Sequence, residues 1–423
     1  MYKTSLIFFA VTLIVIGCSL KKSLPSTWHA VHGDGSNSDY SAVKGPRNII
    51  LAWQRKFNGT INLGPTHDRS GKIFVTTSAE GCHLYALDPA TGETIWCSVE
   101  VNKLGVASAA LVDERGHLYV ADNESMHGFD NSGKLIWETP IQGFPLSAQF
   151  ISSGRIIFVT HIGLIYVLDK ATGEKIIEPV ELGIGSRLHP AEFDPIACMR
   201  GTQDCPCANT VAVDIKSGKF FFTYWEPGSK QADCLAMQYS GTPKPTISTI
   251  WRNGSLPGGS ASSPDISFDG KRIYVNDNNG GLHAIDAETG RNIWMFDIGY
   301  APGGSQSTSP DGIIVPAGGP MAPLLCIQDN GDQPKLLWRR DSTFNRGIAT
   351  QAAGELIYAT VADRNRGRFY NRLAVIEAKS GKQIDDEELP GITLFTVGTT
   401  IGPEGNVYVS TFNGKLFAFR PDR

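Results

Sequence analysis

A hairpin motif recurs along the chain and constrains the fold more than any other feature of the sequence. In each copy an alternating apolar run leads to Asp, a Thr-Gly or Ser-Gly pair follows, and a second alternating run ends on Trp or another apolar residue. Four copies occupy residues 84–96, 127–137, 165–177 and 282–294. Asp and Thr side chains accept backbone N–H bonds in tight turns, and Gly adopts the positive φ that such turns need. Each copy is therefore predicted to be a β-hairpin.

The spacing of these copies predicts the architecture. The turn carboxylate recurs at Asp88, Asp130, Asp169, Asp286 and Glu377, and the first two steps are 42 and 39 residues. A second strand pair with a Gly turn precedes each hairpin, so the unit holds four strands. Four strands in about 40 to 50 residues are typical of a propeller blade. The eight units that fit this pattern are residues 64–99, 108–141, 147–182, 209–253, 260–298, 303–340, 347–389 and 396–419.

The sequence thus predicts an all-β, eight-bladed β-propeller of four-stranded blades, closed by an N-terminal strand. The eighth unit lacks its fourth strand, and residues 49–57 supply an alternating run in which Trp53 stands where the other units carry Trp. An open ring would expose unpaired strand edges, so residues 49–57 are expected to complete the last blade. Trp residues expected to lock neighbouring blades by packing are Trp53, Trp96, Trp137, Trp251, Trp294 and Trp338.

The repeat resembles the Asp-x-x-Thr-Gly-x-x-x-Trp docking motif of the PQQ-like, or quinoprotein-type, eight-bladed propellers. This resemblance covers nearly all of residues 49–419, and residues 28–41 are similar to the lead-in of quinoprotein alcohol dehydrogenases. It implies the propeller fold and two classes of function. One class is PQQ-dependent oxidoreductases that hold calcium. The other is non-catalytic envelope lipoproteins, such as the propeller subunit of the outer-membrane β-barrel assembly machinery.

The second class fits the sequence better. Quinoprotein dehydrogenases are usually much longer and carry an adjacent Cys-Cys pair, which this chain lacks. We therefore expect a protein-binding scaffold with no catalytic, cofactor-binding or metal-binding residues. A PQQ-dependent oxidoreductase with calcium is the alternative. A metal-dependent propeller hydrolase is a third class, with Asp122-Asn123 or Asp277-Asn278-Asn279 as ligands, although Asp and Asn are also ordinary turn residues.

The N-terminus predicts the location of the protein. Lys3 precedes an apolar run from Leu6 to Ile16, which is long enough for a secretory signal peptide and too short to span a membrane. The ending Val-Ile-Gly-Cys resembles a bacterial lipobox, with Cys18 as the lipidated residue. The predicted organisation is a signal peptide at 1–17, a tether and lead-in at 18–48, and the propeller at 49–423. Ser19 in place of the Asp of inner-membrane lipoproteins favours the periplasmic side of the outer membrane.

Charge and composition limit the partners. The 38 Lys and Arg against 42 Asp and Glu give a formal net charge of −4, which does not suggest the basic stripe that nucleic-acid binding needs. The 46 Gly and 24 Pro indicate many turns, which suits a propeller. Envelope proteins or peptides are therefore the expected partners.

Seven cysteines follow Cys18, and in an exported protein they are expected to form disulfides. Cys326 is predicted to be the odd buried thiol. The four thiols of blade four could alternatively form a zinc site, but they lack the paired C-x-x-C spacing that is typical of zinc ligands. The cysteines predicted to pair are Cys82, Cys97, Cys198, Cys205, Cys207 and Cys234.

Long connections predict which face of the ring binds a partner. Residues 183–208, 225–233 and 362–372 all emerge on the face that carries the blade-to-blade connections. Lengthening biased to one face indicates a functional surface, and Arg with aromatic residues is typical of interface hot spots. The side chains predicted to meet an acidic partner are Arg364, Arg366, Arg368, Phe369, Tyr370 and Arg372.

Replacing the predicted lipidation site tests the anchor. Cys18→Ala removes the thiol that would carry the acyl chains, and stable anchoring needs at least two chains. The variant should move from the membrane fraction to the soluble fraction of lysed cells. Membrane retention equal to that of the wild type would contradict the lipoprotein prediction.

Overall fold

The computed structural model describes residues 28–183, 198, 203–207, 209–319, 321–363, 370–392 and 395–422. The strands of this part of the chain form eight four-stranded antiparallel units arranged as the blades of a propeller. The predicted all-β, eight-bladed fold is confirmed. Cys18 and the predicted signal peptide lie outside the described residues.

The strands of the first four blades follow two N-terminal strands. These elements are β1 (Tyr40–Lys44), β2 (Ile49–Lys56), β3 (Thr66–His67), β4 (Ile73–Thr76), β5 (Leu84–Leu87), β6 (Thr94–Ser98), the 3₁₀ helix η1 (Lys103–Ala107), β7 (Leu111–Val112), β8 (Leu118–Ala121), β9 (Ser125–Phe129), β10 (Leu135–Pro140), β11 (Gln149–Ser152), β12 (Arg155–Val159), β13 (Leu164–Asp169), β14 (Val180–Glu181), β15 (Ala212–Asp214), β16 (Lys219–Tyr224), β17 (Gln231–Ser240) and β18 (Thr246–Pro257).

Blades five to eight continue in the same order. Their strands are β19 (Asp265–Ile266), β20 (Arg272–Asn276), β21 (Gly281–Asp286), β22 (Asn292–Asp297), β23 (Ser307–Thr308), β24 (Ile313–Val315), β25 (Pro323–Asp329), β26 (Pro334–Asn345), β27 (Thr350–Ala353), β28 (Leu356–Asp363), β29 (Arg372–Glu377), β30 (Gln383–Glu388), β31 (Thr396–Ile401), β32 (Val407–Thr411) and β33 (Lys415–Pro421).

The ring closes through β2, as predicted. This strand pairs antiparallel with β33, placing Leu51 opposite Phe419 and Trp53 opposite Ala418. The eighth blade therefore has the order β2-β33-β32-β31. The N-terminal strand β2 and the C-terminal strand β33 satisfy the backbone hydrogen-bonding groups that each would otherwise expose at a strand edge. Blades six and seven are also joined, because the end of β26 pairs with β28.

Indole rings connect successive blades. Trp137 lies against the turn of the next blade, where its Nε1 donates to the Lys170 carbonyl at 3.1 Å. Gly173 in that turn has a φ of 76°, and a Cβ there would lie 2.5 Å from the ring. The same indole-to-carbonyl hydrogen bond is made by Trp53, Trp96, Trp251 and Trp338, whereas the Trp294 indole donates to the Asp329 carboxylate.

The lead-in occupies the middle of the ring. Its carbonyls at Gly35, Ser36, Ser38 and Asp39 accept backbone N–H bonds from the innermost strands of blades four to seven. β1 then pairs in parallel with β27. Asn37, which is fully buried, donates from its amide nitrogen to the carbonyls of Thr210 and Pro264, which precede the innermost strands of blades four and five. The lead-in, which is distant in sequence from all four of these blades, thus joins their innermost strands.

No helix in the described ranges is long and apolar enough to cross a membrane.

Removing one docking indole tests the blade contacts. Trp251 is 9% exposed, packs on Gly290 and donates to the Ala287 carbonyl. Trp251→Ala should lower the free energy of unfolding by about 3 kcal/mol, because it leaves a cavity between blades. Ile250→Ala is the matched control, since Ile250 is 37% exposed on the same strand. Equal denaturant midpoints for the two variants would count against the packing role.

Candidate functional site

A cavity of about 450 Å³ opens at the centre of one face of the ring. This face carries the connections between blades and between the second and third strands of each blade, and we call it the connection face. The cavity is lined by segments that lead into the innermost strands, together with the connections after β24 and β32. Of the long connections that the sequence predicted, residues 225–233 join the second and third strands of blade four and belong to this face, whereas most of 183–208 and of 362–372 lies outside the described residues.

The cavity wall is mainly backbone and apolar side chains. Glycines contribute much of it because neighbouring segments approach closely: a Cβ on Gly318 would lie 2.3 Å from the Asn345 carbonyl oxygen. Leu63, Leu146 and Ile348 supply apolar side chains. Such a wall binds apolar groups by releasing water from both surfaces.

Arg346 gives the cavity a positive charge. The residue is 8% exposed, and its guanidinium carbon lies 4.4 Å from the centroid of the Phe395 ring. Burial lowers the pKa of Arg346, but an arginine pKa starts so high that the group stays protonated near pH 7. The described residues that line the cavity include no carboxylate. A ligand with an apolar body and a negative group therefore suits this cavity.

Calcium is held by several oxygen ligands, usually including carboxylates, and the described lining of the cavity offers hydroxyl and amide oxygens but no carboxylate. The described residues contain no group of three or more His, Cys, Asp or Glu side chains that could hold a metal ion.

The Asp-Asn segments considered for a metal-dependent hydrolase act in turns. Asp122 Oδ1 accepts the backbone N–H groups of Glu124 and Ser125. Asp277 Oδ1 does the same for Asn279 and Gly281. Both carboxylates thus satisfy backbone donors between the second and third strands of their blades.

Three polar side chains lie at the inner end of the cavity. His32, from the lead-in, has its Nδ1 2.7 Å from Asp39 Oδ2 and its Nε2 3.1 Å from Ser263 Oγ. All three residues are less than 9% exposed, and both His32 and Ser263 line the cavity. Sequence reasoning missed this group, because its histidine and serine are 231 positions apart and share no local motif.

The cysteines pair in part as predicted. Cys82 bridges Cys97, and Cys198 bridges Cys205. The prediction that Cys207 and Cys234 also form disulfides is wrong, since both are free and buried. Cys207 packs with the blade three and four core, whereas Cys234 packs with the core between blades four and five. The two thiols therefore lie on opposite sides of blade four. Cys326 is also free and buried.

Most of the predicted arginine cluster lies outside the described residues. This applies to Arg364, Arg366, Arg368 and Phe369. Tyr370 is 40% exposed. Arg372 does not face a partner, and that prediction is corrected: its guanidinium pairs with Asp363 and Asp386 on the neighbouring strands, and the residue is buried.

Comparisons with known proteins agree with this architecture. A family model described as outer membrane protein assembly factor BamB matches residues 80–181 and 244–423. Protein Rv3035 of Mycobacterium tuberculosis (strain ATCC 25618 / H37Rv) is 28% identical over 404 residues, which are 93% of this chain and 96% of that protein.

Solved structures share the fold. BamB from Moraxella catarrhalis superposes with a TM-score of 0.61 at 13% identity, covering 88% of this chain and 99% of that one. Quinohemoprotein alcohol dehydrogenase from Comamonas testosteroni gives 0.60 at 14% identity, covering 94% of this chain and 81% of that one. At these identities the similarity shows the propeller fold alone.

Thiol labelling tests the cysteine assignment. Burial raises the pKa of Cys207 to about 12 and also raises the pKa values of Cys234 and Cys326, so these thiols hold little reactive thiolate at neutral pH. Iodoacetamide should leave all three unmodified in native protein and should label them after denaturation without a reductant. Peptide mapping that finds Cys207 and Cys234 unlabelled in the denatured, unreduced protein would restore the original prediction.

Proposed function

The chain belongs to the family of propellers described as outer membrane protein assembly factor BamB, and we propose from that membership that it is a protein-binding scaffold of the cell envelope. Its role is to hold other envelope proteins in position, which requires neither a cofactor nor a metal. We further propose that Cys18 anchors it to the periplasmic side of the outer membrane, where its partners take part in outer-membrane protein assembly.

The connection-face cavity is the observation that supports this proposal most directly. Phe412 lies on its lining and is 40% exposed, whereas large aromatic side chains in this protein are mostly buried. An exposed aromatic at the edge of an apolar cavity is typical of a surface that anchors a partner side chain. The positive charge of Arg346 adds a preference for a partner segment that carries an acidic side chain or a C-terminal carboxylate.

The rigidity of the ring supports the same function. Six indole contacts fix neighbouring blades against each other, and the lead-in joins the innermost strands of blades four to seven. Loops held by such a frame keep their relative positions, so binding a partner costs little ordering entropy.

Site-specific photo-crosslinking tests the proposal. A photoreactive benzoylphenylalanine replacing Phe412 should form discrete adducts with envelope proteins in intact cells, because the side chain lies on the cavity that we assign to partners. The matched control is the same residue at Ile136, which is 49% exposed on the outer strand of blade two. Adducts are detected by immunoblot and identified by mass spectrometry.

The control decides the outcome. Adducts at position 412 and none at 136 support the scaffold and its face. Equal patterns at both positions, or none at either, would overturn the assignment of the connection face. Phe412→Ser should also weaken capture of the identified partner at least tenfold without changing the melting temperature.

A further inference from the structure

A linear hydrogen-bonded chain of a carboxyl group, an imidazole and a hydroxyl lies at the inner end of the cavity. Asp39 Oδ2 is 2.7 Å from His32 Nδ1, and His32 Nε2 is 3.1 Å from Ser263 Oγ. The relative exposures are 2%, 6% and 4% for Asp39, His32 and Ser263. Nucleophilic hydrolases use these same three groups in this order.

Burial raises the pKa of Asp39, and the adjacent His32 opposes that shift. When Asp39 is ionised, its carboxylate only accepts hydrogen bonds, so His32 Nδ1 carries a proton and Nε2 is left with a lone pair. The backbone N–H of Thr210 donates to Ser263 Oγ at 3.0 Å. This bond uses a lone pair of the oxygen, and the hydroxyl proton is therefore free to point at Nε2. Ser263 is thus placed as donor to a base that is oriented by a carboxylate.

Two other buried His–Asp pairs show why this arrangement is distinctive. His283 Nε2 lies 2.6 Å from Asp277 Oδ2, and His127 Nε2 lies 3.9 Å from Asp122 Oδ2. In the described part of the chain, the Nδ1 atoms of both rings are buried without a hydrogen-bond partner. Among the described residues, neither His283 nor His127 is hydrogen-bonded to a hydroxyl group. His32, in contrast, bonds to the Asp39 carboxyl group through one ring nitrogen and to the Ser263 hydroxyl through the other.

The cavity gives a substrate access to Ser263. Ser263 and His32 both line the space of about 450 Å³ that opens on the connection face. Its apolar wall suits a small apolar acyl group. Arg346 lines the same space and gives it a positive charge.

We propose that Ser263, His32 and Asp39 form a hydrolytic triad that cleaves small carboxylic esters. Ser263 Oγ forms a bond to the ester carbonyl carbon while its proton moves to His32 Nε2. The bond from that carbon to the alcohol oxygen then breaks, and His32 returns the proton to the leaving alcohol. Water next attacks the acyl-serine, giving its proton to His32, which restores it to Ser263 as the acid departs. This activity goes beyond the scaffold function and does not depend on it.

An active-site-directed fluorophosphonate tests the triad in the full-length protein. The probe should form a covalent adduct at Ser263, located by peptide mass spectrometry. Ser263→Ala should abolish the adduct, and His32→Gln should slow labelling about 10³-fold. Ser262→Ala is the matched control: Ser262 is an equally buried neighbour whose hydroxyl bonds to Gln306 rather than to a histidine, and it should label at the wild-type rate.

Asp39→Asn separates orientation from folding. The amide keeps the size of the side chain but no longer favours the proton on Nδ1, so labelling should slow while the melting temperature shifts far less than in a Trp251→Ala variant. Hydrolysis of p-nitrophenyl butyrate should fall in parallel. The triad is overturned if Ser263 takes no label in the folded wild-type protein, or if His32→Gln and Asp39→Asn, verified as folded, label at the wild-type rate. Crosslinks at position 412 are scored separately, so either proposal can fail alone.

Discussion

The contact between an indole and the turn of the next blade is the interaction on which the rest of the structure depends. Trp137 illustrates it, with its ring against Gly173 and its Nε1 donating to the Lys170 carbonyl. A glycine is required because a Cβ would enter the ring and because the turn residue has a positive φ. Six such contacts set the angle between neighbouring blades, and the pairing of β2 with β33 then closes the ring. The cavity and the connection face exist only because this closure succeeds.

Much of the fold could be predicted because its determinants are local. Each hairpin is specified within about a dozen residues by alternation, an Asp that caps the turn and a Gly after it. Closure by β2 could also be predicted, although its partner lies at the other end of the chain. Trp53 was recognisable by comparison with the other units, and its pairing opposite Ala418 follows from the same blade geometry.

The candidate site could not be predicted, since it depends on positions that only the closed ring brings together. His32 lies in the lead-in and Ser263 before β19, and nothing in either local sequence indicates the other.

The wrong prediction for two of the cysteines has a related cause. Cys207 and Cys234 are near each other in sequence, but Cys207 precedes β15 and packs between blades three and four, whereas the register of β17 directs Cys234 to the other side of blade four. Arg372 was misjudged for the same reason, as β29 turns it towards carboxylates on adjacent strands.

The lead-in explains why polar groups persist at the centre of an otherwise apolar ring. A channel bounded by eight innermost strands leaves backbone groups that need partners, and the lead-in carbonyls accept several of those N–H groups. Asn37 and Asp39 adopt positive φ values of 62° and 46° in this segment, a conformation that Asn and Asp tolerate better than most residues. The turn that contains them brings the Asp39 carboxyl group back to His32, whose ring then reaches Ser263 in the cavity. The segment that satisfies the centre of the ring is thus also the one that supplies two of the three groups of the proposed triad, so those groups keep their geometry only while the lead-in stays packed in the ring.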